Sequence, residues 1–291
     1  MIASLAMYDR PETAPALDAL WQAIRHELTA ASIDAPETLT RGGDLWSIWS
    51  DSKLLLAQTC GLPYRTRLYE QVNLVTTLDH GVADCPPGHY NSVFIAHRNR
   101  AGNSLQAIAG GSFAYNEALS QSGWAAPMLH LRDLSLLPGS LFQSGSHIAS
   151  ARAVAEGTAD FAALDAVSWT LMQEHDDWAK DLVEVARTPS TPGLPLITAS
   201  TRDPAPLRTA VAQAVATLDD EHRKALHLKG VSEIPPGAYL AVPTPLGPVL
   251  TEQSIRQQAA GWSTRLIRSG YPRSGGPHNR AATCPALIPT R

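Results

Sequence analysis

The sequence predicts an α/β protein, and three observations carry that reading. Strand-like and helix-like segments alternate along most of the chain. The helical segments keep their apolar residues on one face, whereas several strand segments are short and almost wholly apolar. The chain has 291 residues, 44% of them hydrophobic, which is enough for two domains with separate cores. Alternation of this kind implies α/β layering with largely parallel sheets.

The N-terminal run IASLAMY (2–8) reads as a strand. APALDALWQAIRHEL (14–28) is an amphipathic helix with Leu17, Leu20, Trp21, Ile24 and Leu28 on one face. The short helix DLWSIWSD (44–51), the strand KLLLAQT (53–59) and the helix YRTRLYEQ (64–71) follow. Strands are expected at NLVTTL (73–78), NSVFIAHR (91–98) and GSFAYN (111–116). A helix starts near Ser122, and HIASARAVAEG (147–157) is another, closed by Gly157, a residue that adopts the C-terminal turn without strain. DFAALD (160–165) is a buried strand and AVSWTLMQEH (166–175) a helix. LVEVAR (182–187) and LPLITAS (194–200) flank the break TPSTPG. DPAPLRTAVAQAVATLDDEH (203–222) is a last long helix with an Asp cap and early prolines. Pro127 lies early in the Ser122 helix, where it removes an N–H and crowds the Gly123 carbonyl, so a kink or a short helix is expected. The stretch 269–291 is rich in Pro, Gly and Arg without periodicity and reads as a loose tail.

The net charge is −4, so nothing points to bulk electrostatic attraction for nucleic acid or an anionic membrane. No run approaches the ~20 apolar residues of a membrane span. The opening MIASLAMYDRPE has neither a basic segment nor a long apolar one and is no signal peptide. As written the chain reads as cytoplasmic, or as periplasmic if an export signal has been trimmed. Cys60, Cys85 and Cys284 form no pattern of metal-ligand spacing. Neither a metal nor a cofactor is expected. Cys60 and Cys85 read as two free thiols, with a disulfide between them left open for an exported chain.

Open α/β sheets bind ligands in the loops beyond strand ends. Five candidate loops carry polar residues: MYD (7–9), QTCG (58–61), NEALSQSG (116–123), QSGSH (143–147) and LDAVSW (164–169). Two of them are serine-rich helix starts, each offering unpaired N–H groups and about half a positive charge. Together they make an anion pocket that needs no lysine or arginine. Each residue also has an ordinary role. Serine at a helix start caps it, Asp165 after an apolar strand does the same, and His147 by itself reads as a surface residue. Tyr8 and Tyr90 are core-edge aromatics by themselves, and Gln58 with Thr59 closes a strand. Their joint placement at strand ends favours one shared site.

The run GSHIASARAVAEGTADFAALDAVSW (145–169) closely resembles a stretch of the phosphonate-, phosphate- and phosphite-binding subunits of ABC transporters. In that family a Ser-His helix start precedes an alanine-rich helix and a strand that ends in Asp. NEALSQSG (116–123) resembles the family's Asn/Asp-x-x-Ser-x-Ser-Gly turn, and LLLAQTCGLPY (54–64) its opposite wall. MYDRPE (7–12) fits the opening strand of shorter members, and the similarity runs from residue 2 to about 240.

The resemblance implies a type II periplasmic-binding-protein fold: two α/β lobes joined by two crossing segments, with the ligand cleft between them. By similarity Ser120, Gln121, Ser122 and His147, with the helix start at Ser146, would hold the oxyanion, helped by the N–H groups of Ser122 and Gly123. Asp165 would accept a proton from a ligand oxygen or pair with a ligand amine, while Tyr8, Gln58, Thr59 and Tyr90 close the pocket. Residues 1–80 and 190–268 are expected to form one lobe and 90–185 the other. The function implied is that of a monomeric solute-binding protein for phosphonate, phosphate or phosphite, serving an ABC importer. It would do no chemistry, bind no nucleic acid and insert in no membrane. The alternative is a cytoplasmic enzyme on the same fold, similar to the chorismate dehydratases, with His147 or Asp165 as base. Fold alone does not separate the two.

Overall fold

Two separate five-stranded sheets organise the protein, and a two-stranded ribbon lies on the chain's path between them. The computed structural model describes residues 1–268; the expected tail at 269–291 lies outside the described residues. In chain order the strands are β1 (Ile2–Ser4), β2 (Leu54–Gln58), β3 (Val72–Asp79), β4 (His89–Tyr90), β5 (Ser92–His97) and β6 (Ser112–Tyr115). They continue with β7 (Ser140–Gln143), β8 (Phe161–Asp165), β9 (Leu182–Arg187), β10 (Thr191–Pro192), β11 (Pro195–Ala199) and β12 (Gly230–Ser232). The first sheet has the order β1-β2-β11-β3-β12, the second β7-β6-β8-β5-β9, and β4 pairs with β10.

The sheets are mixed rather than largely parallel. β1 and β2 are parallel, but β11 runs against both β2 and β3, and β12 runs against β3. In the second sheet β6 is parallel to β7 and β8, while β5 is antiparallel to β8 and β9. β5 and β11 are each the first sheet strand after the chain leaves the β4–β10 ribbon, and both enter reversed. Alternation of strands and helices specifies layers; it carries no strand direction.

The helices are α1 (Ala14–Ala30), α2 (Leu45–Trp49), α3 (Gly61–Pro63), α4 (Leu105–Ile108), α5 (Ala126–Asp133) and α6 (His147–Ala155). After them come α7 (Ala166–His175), α8 (Pro204–Thr217), α9 (Asp220–Ala225), α10 (Pro236–Leu240) and α11 (Pro248–Arg268). The predicted face of α1, Leu17 to Leu28, is buried with Leu207, Val211 and Val215 of α8 over Leu55, Val75 and Leu196. On the other side Trp49, Tyr64 and Tyr239 pack on Leu54 and Ile197. The second sheet shows the strand period directly. Val93, Ile95, Ala162 and Leu164 face the core under α6 and α7, whereas Phe94, Ala96, Phe161 and Ala163 face α4 and α5. Both sheets are therefore buried on both faces, as the apolar strands required. Residues 1–255 form one compact unit; a second begins at Arg256 and is described to the end of α11.

Several local expectations are corrected. The strand at 2–8 stops at Ser4, and Ala6–Tyr8 is a 3-10 turn that brings the Tyr8 hydroxyl to Asp165 in the second sheet. The helix at 64–71 is a single π-helical turn, Tyr64–Leu68. The helix at 203–222 ends at Thr217, because Asp219 takes the His222 N–H as a cap and starts α9. The disturbance expected from Pro127 is a π-helical turn, Gln121–Ala125, leading into α5. Ala125 N donates to Ser120 O at 3.0 Å there. Proline gives the Gly123 carbonyl no N–H, and the wider turn relieves the crowding of its ring. β7, β12, the β4–β10 ribbon, α10 and α11 had no expectation at all, being short or weakly periodic.

Asp203 tests the capping account of α8. Its side chain accepts from Ala205 N at 3.0 Å, so Asp203→Ala is expected to lower stability by about 1 kcal/mol. A thermal melt checks this; unchanged stability would remove Asp203 from that role.

Candidate ligand-binding site

Loops after β2, β6, β7 and β8 and the turn after β1 enclose a cavity of about 250 Å³. Its polar wall includes Tyr8, Tyr90, Ser120, Ser122, His147 and Asp165. Its apolar lining includes Met7, Leu171, Met172 and Leu194. The only cation among the lining residues is Arg10, and its guanidinium is tied to Glu12 at 2.6 Å and Asp176 at 3.0 Å.

Three of the polar residues do the ordinary work of caps. Ser120 Oγ accepts from Gly123 N at 2.9 Å, Ser146 Oγ from Ala149 N at 3.0 Å, and Asp165 Oδ1 from Val167 N and Ser168 N at 2.8 and 2.9 Å. The Gly123 N–H is thus used inside its own turn. Ser122 is different. Its Oγ lies 3.0 Å from His147 Nε2, so two helix starts that are 25 residues apart meet side chain to side chain. Asp165 Oδ2 accepts the Tyr8 O–H at 3.0 Å, joining the first turn of the chain to the end of β8. The Tyr90 hydroxyl is buried in the same cavity without a hydrogen-bond partner.

Not every expected residue lines the cavity. Tyr8, Tyr90, Ser120, Ser122, Ser146, His147 and Asp165 do. Gln58, Thr59, Gln121 and Gly123 are buried and are not among its lining residues: the Gln58 carbonyl holds Trp49 Nε1, the Gln121 side chain bonds Arg65 and Thr191, and Gln58 Nε2 and Thr59 Oγ1 are buried without a partner. The wall contributed by the loop after β2 is Cys60, one residue beyond the expected pair. Asn116 and Ser168 also line it. Asn116 opens the quoted turn motif and was legible as part of it, whereas nothing in the sequence distinguished Cys60. Cys60 and Cys85 are free thiols. Among the described residues no group of His, Cys, Asp and Glu is arranged to hold a metal, and no helix is long and apolar enough to cross a membrane.

Burial dominates the electrostatics. It pushes the Asp165 carboxyl up to about 6, partly offset by the Ser168 N–H and the Tyr8 hydroxyl. It pushes His147 and His80 down to about 4. Although His147 keeps some exposed surface, its Nδ1 is shut off from solvent with no partner. These shifts fix the sign of a pH effect. Both histidines stay neutral when folded but take a proton near their ordinary 6.5 when unfolded. Their stabilisation is present above pH 6.5 and lost as pH falls toward 4. Asp165 acts oppositely, regaining stability as pH falls from about 6 toward 3.8. Two histidines outweigh one carboxyl. Stability is expected to fall by roughly 1–2 kcal/mol net over that window, with residual exposure discounted. Melts between those pH values check it, and a rising melting temperature on acidification would contradict it.

The cleft between two mixed sheets, with polar residues from both converging on it, is the architecture of a two-lobed periplasmic-binding-protein fold. A family model described as the phosphonate periplasmic substrate-binding protein of ABC transporters matches residues 60–237. That is more than half of the chain, which belongs to this family of ABC-transporter substrate-binding proteins. Solved structures agree on the fold. PhnD1 from Prochlorococcus marinus in complex with methylphosphonate aligns at TM-score 0.63 and 15% identity, covering 89% of this chain and 98% of that one. A Xanthomonas citri protein bound to chloride ion aligns at 0.61 and 17%, covering 92% and 99%. A binding-protein component of an ABC phosphonate transporter from Pseudomonas aeruginosa aligns at 0.59 and 16%, covering 92% and 98%. A comparison with curated proteins finds no match. The dehydratase alternative has no support here, since the family is one of binding proteins.

Proposed function

We propose that this chain binds a small phosphorus oxyanion (phosphonate, phosphate or phosphite) in the cavity between its sheets and presents it to an ABC importer. The first sheet with its helices and the second sheet with its helices would act as two lobes, the β4–β10 ribbon being the hinge. The meeting of Ser122 Oγ and His147 Nε2 at 3.0 Å carries the reading. It focuses a hydroxyl and an imidazole from two separate helix starts on one point of the cavity. Support also comes from the family and from the methylphosphonate in the Prochlorococcus marinus structure.

Recognition would then rest on neutral donors. Ser120 keeps its hydroxyl hydrogen to give, Ser122 and His147 share one hydrogen bond whose donor is set by the imidazole tautomer, and Tyr90 has an unspent O–H. Hydrogen bonds from such donors to a charged acceptor are stronger than neutral pairs, particularly where water is excluded. Asp165 on the same wall disfavours a fully ionised ligand and accepts a hydrogen bond from a P–OH group. The site therefore suits a monoanion.

Calorimetric titration with methylphosphonate, phosphate and phosphite tests the proposal, with phosphorus NMR of the released ligand. One-to-one saturable binding of at least one, released unchanged, is expected. No binding by any of the three, or turnover, would overturn it.

A further inference from the structure

Cys60 sits where the two walls of the cavity touch. It follows Gln58 and Thr59 at the end of β2 and lines the cavity, and its Sγ accepts the Gln121 N–H across the cleft at 3.2 Å. Gln121 begins the π-helical turn that carries Ser122, so the sulfur holds the first amide of the turn from the opposite wall. Two further observations point to the same place. The Tyr90 hydroxyl, in a residue only 3% exposed, lines this cavity without a partner. The Gln121 side chain is itself fixed, its Oε1 accepting from Arg65 at 2.6 Å and its Nε2 reaching Thr191 at 3.5 Å. A residue clamped by side chain and amide has little freedom, and the amide clamp is a single sulfur.

We propose that Cys60 is the positioning residue of this site and a thiol gated by its ligand: its sulfur pins the serine-bearing turn, and occupancy of the cavity and modification of that sulfur exclude each other. The proposal rests on the cavity being the ligand site. Sulfur is a weak acceptor, so the pin holds the turn in register yet yields when the cleft opens. Burial raises the thiol above its ordinary range, which slows its reaction although the residue keeps some exposed surface. No sequence pattern marks Cys60, because its meaning lies in a contact 61 residues distant.

The experiment uses the full chain with Cys85→Ser and Cys284→Ser, leaving Cys60 as the sole thiol. N-ethylmaleimide is the probe. The Cys60 thiolate adds across its C=C bond, one S–C bond forms as the π bond breaks, and water supplies the proton to the neighbouring carbon. Saturating methylphosphonate is expected to slow labelling at least about tenfold, and labelled protein is expected to lose binding. Labelling at one rate with and without bound ligand, or labelled protein that binds normally, would overturn the gating. A second readout needs no ligand. In Cys60→Ala the Gln121 amide proton is expected to shift and to exchange faster with solvent, with Cys60→Ser restoring part of the protection. An unmoved Gln121 amide would overturn the pin. If that amide moves while methylphosphonate, phosphate and phosphite all fail to bind, the pin stands and the ligand reading falls.

Discussion

Gly123→Ala is expected to destabilise the fold by about 1–3 kcal/mol. A Cβ at this position would overlap Asn116 Oδ1 and its carbon, with Ser120 Oγ also close at 3.2 Å. Overpacking costs about 1–3 kcal/mol where neighbours can yield, and more where they cannot. Ser120 is poorly placed to yield, whereas Asn116 must swing its side chain aside. Ser120 Oγ is held by the Gly123 N–H at 2.9 Å, and the turn is buried from Ser120 to Ala125. The need is for space, since Gly123 is not among the glycines with positive φ. Asn116 gives the control. Its Oδ1 has no hydrogen-bond partner, so Asn116→Ala removes the obstacle at little cost to the fold. The double variant Asn116→Ala/Gly123→Ala is expected to recover most of the stability by urea titration. Such a non-additive pair is the signature of two groups competing for one volume. If the single variant melts like the parent, the close approach is not a constraint.

Ser122→Ala is the second large effect, and it falls on affinity rather than on the fold. Ser120, not Ser122, caps the turn. Removing the Ser122 hydroxyl leaves that cap intact and takes away its contact to His147 Nε2. If this hydroxyl faces a bound anion, its loss is expected to weaken binding by about 1.5–3 kcal/mol, the scale of hydrogen bonds to charged groups. That is roughly ten- to 150-fold in Kd. Ser120→Ala differs in that it also loses the cap to Gly123 N, so about 1 kcal/mol of stability is expected to go with any loss of affinity. Titration of methylphosphonate beside a thermal melt separates the cases. Lower stability with unchanged affinity in Ser122→Ala would return this residue to a structural role.

The layering and many of the helix faces were legible because burial leaves a periodic trace. Leu17 to Leu28 on α1 and the alternating β5 and β8 show the two periods plainly. Much of the cavity's polar wall was legible too, since Ser120, Ser122, Ser146, His147 and Asp165 sit at helix starts, where short polar side chains are recognisable. Cys60 was not, because a thiol after a strand has no pattern of its own. Gln58 and Thr59 pointed to the right loop, one residue early. Alternation along a strand sends successive side chains to opposite sides, so an error of one residue at a strand end changes what faces the cavity.

The amino-acid sequence alone determined that this is an α/β protein, where most of its strands and helices lie, and which serines, histidine and aspartate gather at strand ends. Those features are written in residues near one another, through hydrophobic period, capping chemistry and turn composition. Only the tertiary structure decided the direction of β5 and β11, the wide turn at Gln121–Ala125, and the meetings of Tyr8 with Asp165, Ser122 with His147 and Cys60 with Gln121. Each of these depends on how two distant segments are held, 157 residues apart for Tyr8 and Asp165. Local propensity does not encode such distances. The packing of both sheets and the path of the chain through the β4–β10 ribbon set them.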